Sequence, residues 1–157
     1  MSTCHRGYPA ARKQLIAFLQ TQGYTVHPSE VFCPTPNHCW VDVAAIKGQD
    51  YCAFEYKSRT DSIRRGLKQC SAYATAFNYV VIVADRYRVT RSRYFARFKR
   101  SGFGVWQHQG SAFHALIPPK RRATIKQAKT VVERQFKSLI RESKGTSQTK
   151  LAEFFDT

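Results

Sequence analysis

The seven residues Tyr79–Asp85, YVVIVAD, constrain this chain more than any other stretch. The run from Val80 to Ala84 leaves no polar face, so it reads as a strand buried on both sides. Such a strand needs a layer above and a layer below, which points to an α/β fold with helices flanking a small mixed sheet. The rest of the chain supplies those layers. Residues 9–22 predict a first helix, with Pro9 in its first turn, Leu15, Ile16, Phe18 and Leu19 on one side, and Gly23 after its end. YTVHPSEVFC is extended but interrupted by Pro28, as an edge strand can be. Two strand-like runs, CWVDVAAI (39–46) and DYCAFEYKS (50–58), are joined by KGQ, a hairpin signal. Residues 61–78 predict a helix whose apolar stripe is Ile63, Leu67, Cys70, Ala74 and Phe77, capped by Thr60 or Asp61. After the buried strand, 88–102 reads as a basic helix and FGVWQHQGSAFHALI as two strands around Gly110. A last helix runs from about Thr124 to Arg141, and SKGTSQT reads as a linker. The expectation is one domain, residues 1–142, of order α-β-β-β-α-β plus a hairpin and a helix, with a flexible linker and tail at 143–157.

Carboxylates are scarce: 26 Lys and Arg stand against 10 Asp and Glu, a formal charge of +16. That balance predicts a polyanionic partner, DNA before a membrane, because the basic stretches are interleaved with core-forming residues. Three clusters are candidates for phosphate contacts. One is Arg59, Arg64, Arg65 and Lys68; a second includes Arg88, Arg91, Arg93 and Arg97; the third is Lys120, Arg121 and Arg122. Nothing in them reads base sequence, and Phe95 and Phe98 beside the second are expected in the core. No apolar run reaches the roughly 18 residues of a transmembrane helix, and no apolar signal segment opens the chain. Five scattered cysteines give no secreted disulfide framework, so a soluble intracellular protein is expected.

Two of the scarce carboxylates sit inside apolar strands, where unpaired charge is expensive: Asp42 in WVDVAAI and Glu55 in CAFEYKS. Strand alternation places Glu55 and Lys57 on one face and Tyr56 on the other. If the two strands pair, Asp42 and Glu55 can converge. Two converging carboxylates repel unless a cation separates them, and hard oxygen ligands suit Mg²⁺. A lysine nearby can orient a water and neutralise charge developing on phosphorus. The plainer alternative is a solvated Glu–Lys pair on a strand.

The ordered set resembles the PD-(D/E)xK nuclease superfamily, whose restriction-endonuclease-like core is αβββαβ. The superfamily motif, an Asp on the second strand and E-x-K on the third, is met by Asp42 and by Glu55-Tyr56-Lys57. The resemblance implies that Asp42, Glu55 and the Tyr56 carbonyl bind Mg²⁺, with Mn²⁺ able to substitute, and that Lys57 assists the attacking water. Gln69 and Tyr73, an i, i+4 pair in the next helix, resemble the Q-x-x-x-Y motif of the RecB-like branch, near the catalytic site and the DNA. The helix at 9–22 lacks the family's extra Glu or His; Gln14 is the nearest polar stand-in, and His27 and Glu30 come later. Val41 stands where the family usually has proline. With Cys70 the last cysteine, the iron–sulfur cluster of that branch is not expected. Cys33, His38 and Cys39, with Cys4 and His5, are an alternative zinc set, but their spacing matches no common finger.

The tail QTKLAEFFDT resembles the PCNA-interacting peptide, with Gln148, Leu151, Phe154 and Phe155 filling its four positions. Residues 151, 154 and 155 share one side of a helical turn and form a single apolar plug. The resemblance implies an archaeal or eukaryotic-type sliding clamp as partner. A terminal segment folded back on the core is the alternative. Together these readings predict a metal-dependent, structure-specific DNA endonuclease of replication or repair. An exonuclease, a Holliday-junction resolvase, a ribonuclease and a non-catalytic clamp-bound adaptor are the other readings.

Overall fold

The computed structural model describes residues 8–34 and 38–153, with side chains through residue 142. Its elements are α1 (Tyr8–Thr21), β1 (Thr25–Val26), β2 (Val31–Cys33), β3 (Cys39–Val41), β4 (Val43–Lys47), β5 (Asp50–Lys57), α2 (Ile63–Tyr73), β6 (Tyr79–Asp85), α3 (Phe95–Arg100), β7 (Gly104–Gln109), β8 (Ala112–Ile117) and α4 (Lys126–Glu153). Six strands form one mixed sheet in the order β1-β4-β5-β6-β7-β8, and β2 pairs with β3 in a separate ribbon. The steps β1–β4, β4–β5 and β7–β8 are antiparallel, and β5–β6 and β6–β7 are parallel. The C-terminal ends of β5, β6 and β7 therefore share one edge of the sheet.

The doubly buried strand is β6, with Val80 to Ala84 all buried at the centre of the sheet. Leu15 and Leu19 of α1 cover one face together with Val43, Phe54, Val81 and Val83. On the other face Leu67 and Cys70 of α2, Phe98 of α3, and Val132 and Phe136 of α4 pack with Ala53, Val80 and Ile82. The ribbon joins this second layer through Val31 and Val41. Gln135 of α4 stitches the edge of β2: its amide accepts from Phe32 N and donates to Phe32 O, both at 2.8 Å.

Several boundaries differ from the expectation. The helix expected over 61–78 is α2, which ends at Tyr73, so Ala74 and Phe77 of the expected stripe lie beyond it. The extended run at 24–33 is two strands, β1 in the main sheet and β2 in the ribbon. The run 39–46 is two strands, because the chain leaves one sheet and enters the other at Asp42. Ser62 caps α2, accepting from Arg65 N, while Asp61 accepts from Ser58 N. The basic helix shrinks to α3: Thr90 and Ser92 hydroxyls bond back to the Tyr87 and Val89 carbonyls, which favours turns over helix. In the other direction, α4 continues through 143–149, where we expected a linker. That stretch holds a glycine but no proline, and one glycine costs a helix only about 1 kcal/mol.

Candidate active site

The hairpin of β4 and β5 turns at Gly48, which adopts φ +63°, and its last pair is Val43 with Phe54. Beyond it β5 runs on alone on that side, so the Tyr56 amide has no strand partner there. The kink supplies one. Asp42 Oδ2 accepts from Tyr56 N at 2.8 Å, bringing the carboxylate to the residue between Glu55 and Lys57. Arg12 of α1 fixes the kink, donating through Nε to the Asp42 carbonyl at 3.0 Å and through its terminal nitrogens to Pro28 O. The Tyr8 hydroxyl also lies against the Asp42 carboxylate.

Glu55 and Lys57 share the α2 face of β5, and both are buried. Lys57 Nζ donates to Glu55 Oε1 at 2.7 Å and to Gln69 Oε1 at 2.6 Å. Tyr73 OH lies 2.6 Å from Glu55 Oε2 and 2.9 Å from the Trp40 carbonyl. The i, i+4 pair on α2 thus brackets the ion pair, Gln69 on the lysine and Tyr73 on the glutamate. Gly66 makes room for this. A Cβ there would stand 2.9 Å from Ile82 Cδ1 and 3.0 Å from Lys57 Cε. Gly66→Ala should therefore push Lys57 off Glu55 and Gln69. It should lower any Lys57-dependent activity sharply for an overpacking cost of about 1–3 kcal/mol, read as a cleavage rate against a melting temperature.

Burial, and after it the charge of Glu55, raises the Asp42 pKa well above the usual carboxylate value; the Tyr56 amide opposes the shift. Burial also raises Glu55, against the pull of Lys57 and Tyr73. The folded chain then holds protons that the unfolded chain would release. Stability without metal is fully present below the ordinary carboxylate pKa of about 4 and falls as pH rises through the raised values. A divalent cation that bound the pair would oppose that loss, because it binds only the folded state. Thermal melts across pH, with Mg²⁺ and with EDTA, should show a metal-dependent rise in melting temperature that grows with pH. A metal-independent profile would contradict this reading of the pair.

Among the described residues no group of three or more His, Cys, Asp or Glu gathers as a metal site, so the side-chain ligands on offer here are two carboxylates. Cys33 and Cys39 oppose each other across the ribbon, with Phe32 stacked on His38 at 5.8 Å, while Cys4 and His5 lie outside the described residues. Gln14 is turned to the opposite sheet face, where its Oε1 lies 3.0 Å from His108 Nε2 while His108 Nδ1 lies 2.9 Å from Tyr56 OH. His27 contacts the Gln135 carbonyl, and Glu30 lies 3.5 Å from Tyr8 OH.

The basic residues divide by what they touch. Arg64, Arg65 and Lys68 are exposed on α2, Arg91 and Arg93 are exposed before α3, and Arg97 is exposed on α3. Exposed Arg59 pairs with Asp85 at 2.9 Å. Arg88 is turned inward: its guanidinium donates to the Ser58 carbonyl and, at 2.7 Å, to the Asp61 carbonyl, bracing the loop after β5. Arg122 is likewise half-buried, over the Phe103 ring and bonded to the Ser101 carbonyl. Arg121 pairs with Asp50 at the start of β5, so the Lys120–Arg122 cluster lies at the sheet edge opposite Lys57. Phe98 is in the core, with Phe95 packed against it. In the tail, Gln148 and Leu151 lie within α4, and Phe154 and Phe155 lie outside the described residues. Tyr8, Arg12, Gly66 and His108 had no signal in the sequence, since each acts through a contact distant along the chain.

The family model described as bacteriophage P4 protein cII matches residues 30–150, a span that holds Asp42, Glu55, Lys57, Gln69 and Tyr73. No curated protein matches the chain. Among solved structures, the SPO1766 protein of unknown function from Silicibacter pomeroyi is similar over 94% of this chain and 94% of its own, with a TM-score of 0.60 and 13% identity. At that identity the likeness concerns the fold alone.

Proposed function

We propose, for this chain that belongs to the bacteriophage P4 protein cII family, the function of a Mg²⁺-dependent deoxyribonuclease of the PD-(D/E)xK type. It cuts DNA by structure, in replication or repair, while held to a PCNA-type sliding clamp. The observation that carries the reading is the buried Glu55–Lys57 pair, gripped by Tyr73 and Gln69, with Asp42 bonded to the amide between them. A solvated surface pair would have none of that bracing. The strand series β1-β4-β5-β6, antiparallel, antiparallel, then parallel, with α1 and α2 on opposite faces, supports an αβββαβ core of the restriction-endonuclease-like type.

The donor set fits a hard cation. Glu55 lies near enough to Asp42 to add to the rise of its pKa, and such a pair favours a positive charge beside it. The Tyr56 carbonyl lies along the same strand edge as its amide, which already reaches Asp42. Asp42, Glu55 and the Tyr56 carbonyl would hold Mg²⁺, or Mn²⁺ in its place; when bound, the ion supplies a Lewis acid beside the phosphodiester. Lys57 uses two ammonium protons on Glu55 and Gln69, which leaves a third to orient the attacking water or meet a phosphate oxygen. Gln69 positions Lys57, and Tyr73 holds the Glu55 carboxylate. The exposed arginines of α2 and of the segment before α3 bind the DNA backbone, and Gln148, Leu151, Phe154 and Phe155 bind the clamp.

Labelled flap, fork, four-way junction and single-stranded DNA, each incubated with the protein in Mg²⁺ and in EDTA, test this. Metal-dependent cutting that favours one structure is expected. Digestion from ends would make it an exonuclease, junction-only cutting a resolvase, and tight binding with no cutting an adaptor.

A further inference from the structure

A cleft of about 600 Å³ opens on the sheet edge that carries Lys57, lined from three strand ends: Arg59 after β5, Asp85 closing β6 with Arg86, Tyr87 and Arg91 after it, and Gln109 closing β7. Crevices outside the carboxyl ends of parallel strands are where α/β sheets bind ligands. Arg88 also borders it, with its guanidinium bonded to the Ser58 and Asp61 carbonyls. Asp85 is the one carboxylate of this lining, and Arg59 neutralises it.

Two further features show what the cleft is built to take. Arg86 holds φ +51°, a conformation a non-glycine side chain rarely adopts, and its amide is pinned to the His108 carbonyl at 2.8 Å. Strain of that kind persists where the surroundings enforce it, and it concentrates at binding sites. Tyr87 is 48% exposed, an unusual state for a large aromatic, with the Arg91 guanidinium 4.9 Å from its ring centroid. That guanidinium covers one face of the ring; a half-exposed ring among arginines is a recurring platform for unpaired bases, with cations on the phosphates between them. The volume suits a molecule of nucleotide size, whereas a duplex keeps its bases stacked inside and is too wide to enter.

We infer that this cleft is a single-strand subsite, in which an unpaired base of the DNA stacks on Tyr87 while Arg86 and Arg91 hold the flanking phosphates. It rests on the nuclease reading, since the strand it threads would lead along the sheet edge to Lys57. The substrate is then DNA with an unpaired segment next to the cut, such as a flap or a frayed end.

Fluorescence anisotropy of the full chain in EDTA, with a labelled ten-nucleotide thymidine strand and with a blunt duplex, isolates binding from cutting. Tyr87→Ala combined with Arg86→Gly, a glycine that keeps the positive φ, should weaken single-strand binding at least tenfold. Duplex affinity should stay within about twofold, because the exposed arginines of α2 remain. An unchanged melting temperature shows that the variant folds; if it does not fold, Tyr87→Ala alone carries the test. Unchanged single-strand affinity, or equal loss for both ligands, overturns the subsite. Tyr87-dependent binding by a protein that cuts nothing in Mg²⁺ would sustain the subsite and sink the nuclease reading. Efficient cutting that ignores Tyr87 would do the reverse.

Discussion

Asp42→Asn is expected to lower Mg²⁺-dependent cleavage about a thousandfold while raising the melting temperature of the metal-free protein at neutral pH. Both halves have one cause. The Asp42 carboxylate is held close to Glu55 and its pKa is raised by burial and by that neighbour. Asparagine is nearly the same shape and its side-chain oxygen can still accept from Tyr56 N, so the kink between β3 and β4 survives. The repulsion vanishes, and with it the fall in stability as pH rises above the carboxylate range. The lost charge is the one a cation beside the phosphodiester would need, and removing one such electrostatic element costs about a hundred- to a thousandfold. Glu55→Gln behaves differently. It leaves the buried Lys57 ammonium without its counter-charge, so it should lose activity and stability together. Cleavage rates and melts of the two variants, side by side, separate these outcomes. A fully active Asp42→Asn protein would remove Asp42 from the site.

The second large effect is expected at the tail. Phe154→Ala with Phe155→Ala should weaken binding to a PCNA-type clamp a hundredfold or more. Burial of each aromatic is worth roughly 1.5–3 kcal/mol, and the plug has little else apolar apart from Leu151. A peptide of residues 146–157 should bind the clamp by itself. Cleavage of clamp-loaded DNA should fall in the variant through loss of local concentration, while cleavage without clamp should not change. Calorimetric titration of clamp into wild-type and double-variant protein measures this. Equal affinities would refute clamp binding, and a large fall in melting temperature on removing 148–157 would favour a tail folded onto its own domain.

The clustering of the candidate site was legible in the sequence where physics forces a local mark. Asp42, Glu55 and Lys57 stand out because a charge inside an apolar strand must have a partner. Gln69 and Tyr73 stand out because i, i+4 spacing puts them on one helix face. β6 is marked by its unbroken apolar run. What stayed hidden depends on contacts distant along the chain. The run 39–46 alternates like a single strand, and only its pairing, Val41 with Val31 and Val43 with Phe54, shows that it changes sheet at Asp42. An arginine that braces carbonyls looks, in sequence, like one that meets phosphate. In sequence Arg88 and Arg122 therefore look like Arg91 and Lys120, although both are turned into the protein. Gly66 carried no signal because its meaning lies in the Lys57 chain above it. The cap of α2 is Ser62 and neither Thr60 nor Asp61, since all three are good caps and only the path of the loop selects among them.

If Asp42, Glu55 and Lys57 form a metal-dependent phosphodiesterase site, cleavage must need both the cation and the carboxylates. The most direct test is single-turnover cleavage of one end-labelled flap DNA, with protein in excess of the DNA and well above its Kd. Product should form in Mg²⁺ or Mn²⁺, be absent in EDTA, and vanish in Asp42→Asn at equal DNA occupancy. DNA that stays bound and intact with the wild-type protein in both metals, on the flap and on every other structure, would contradict it.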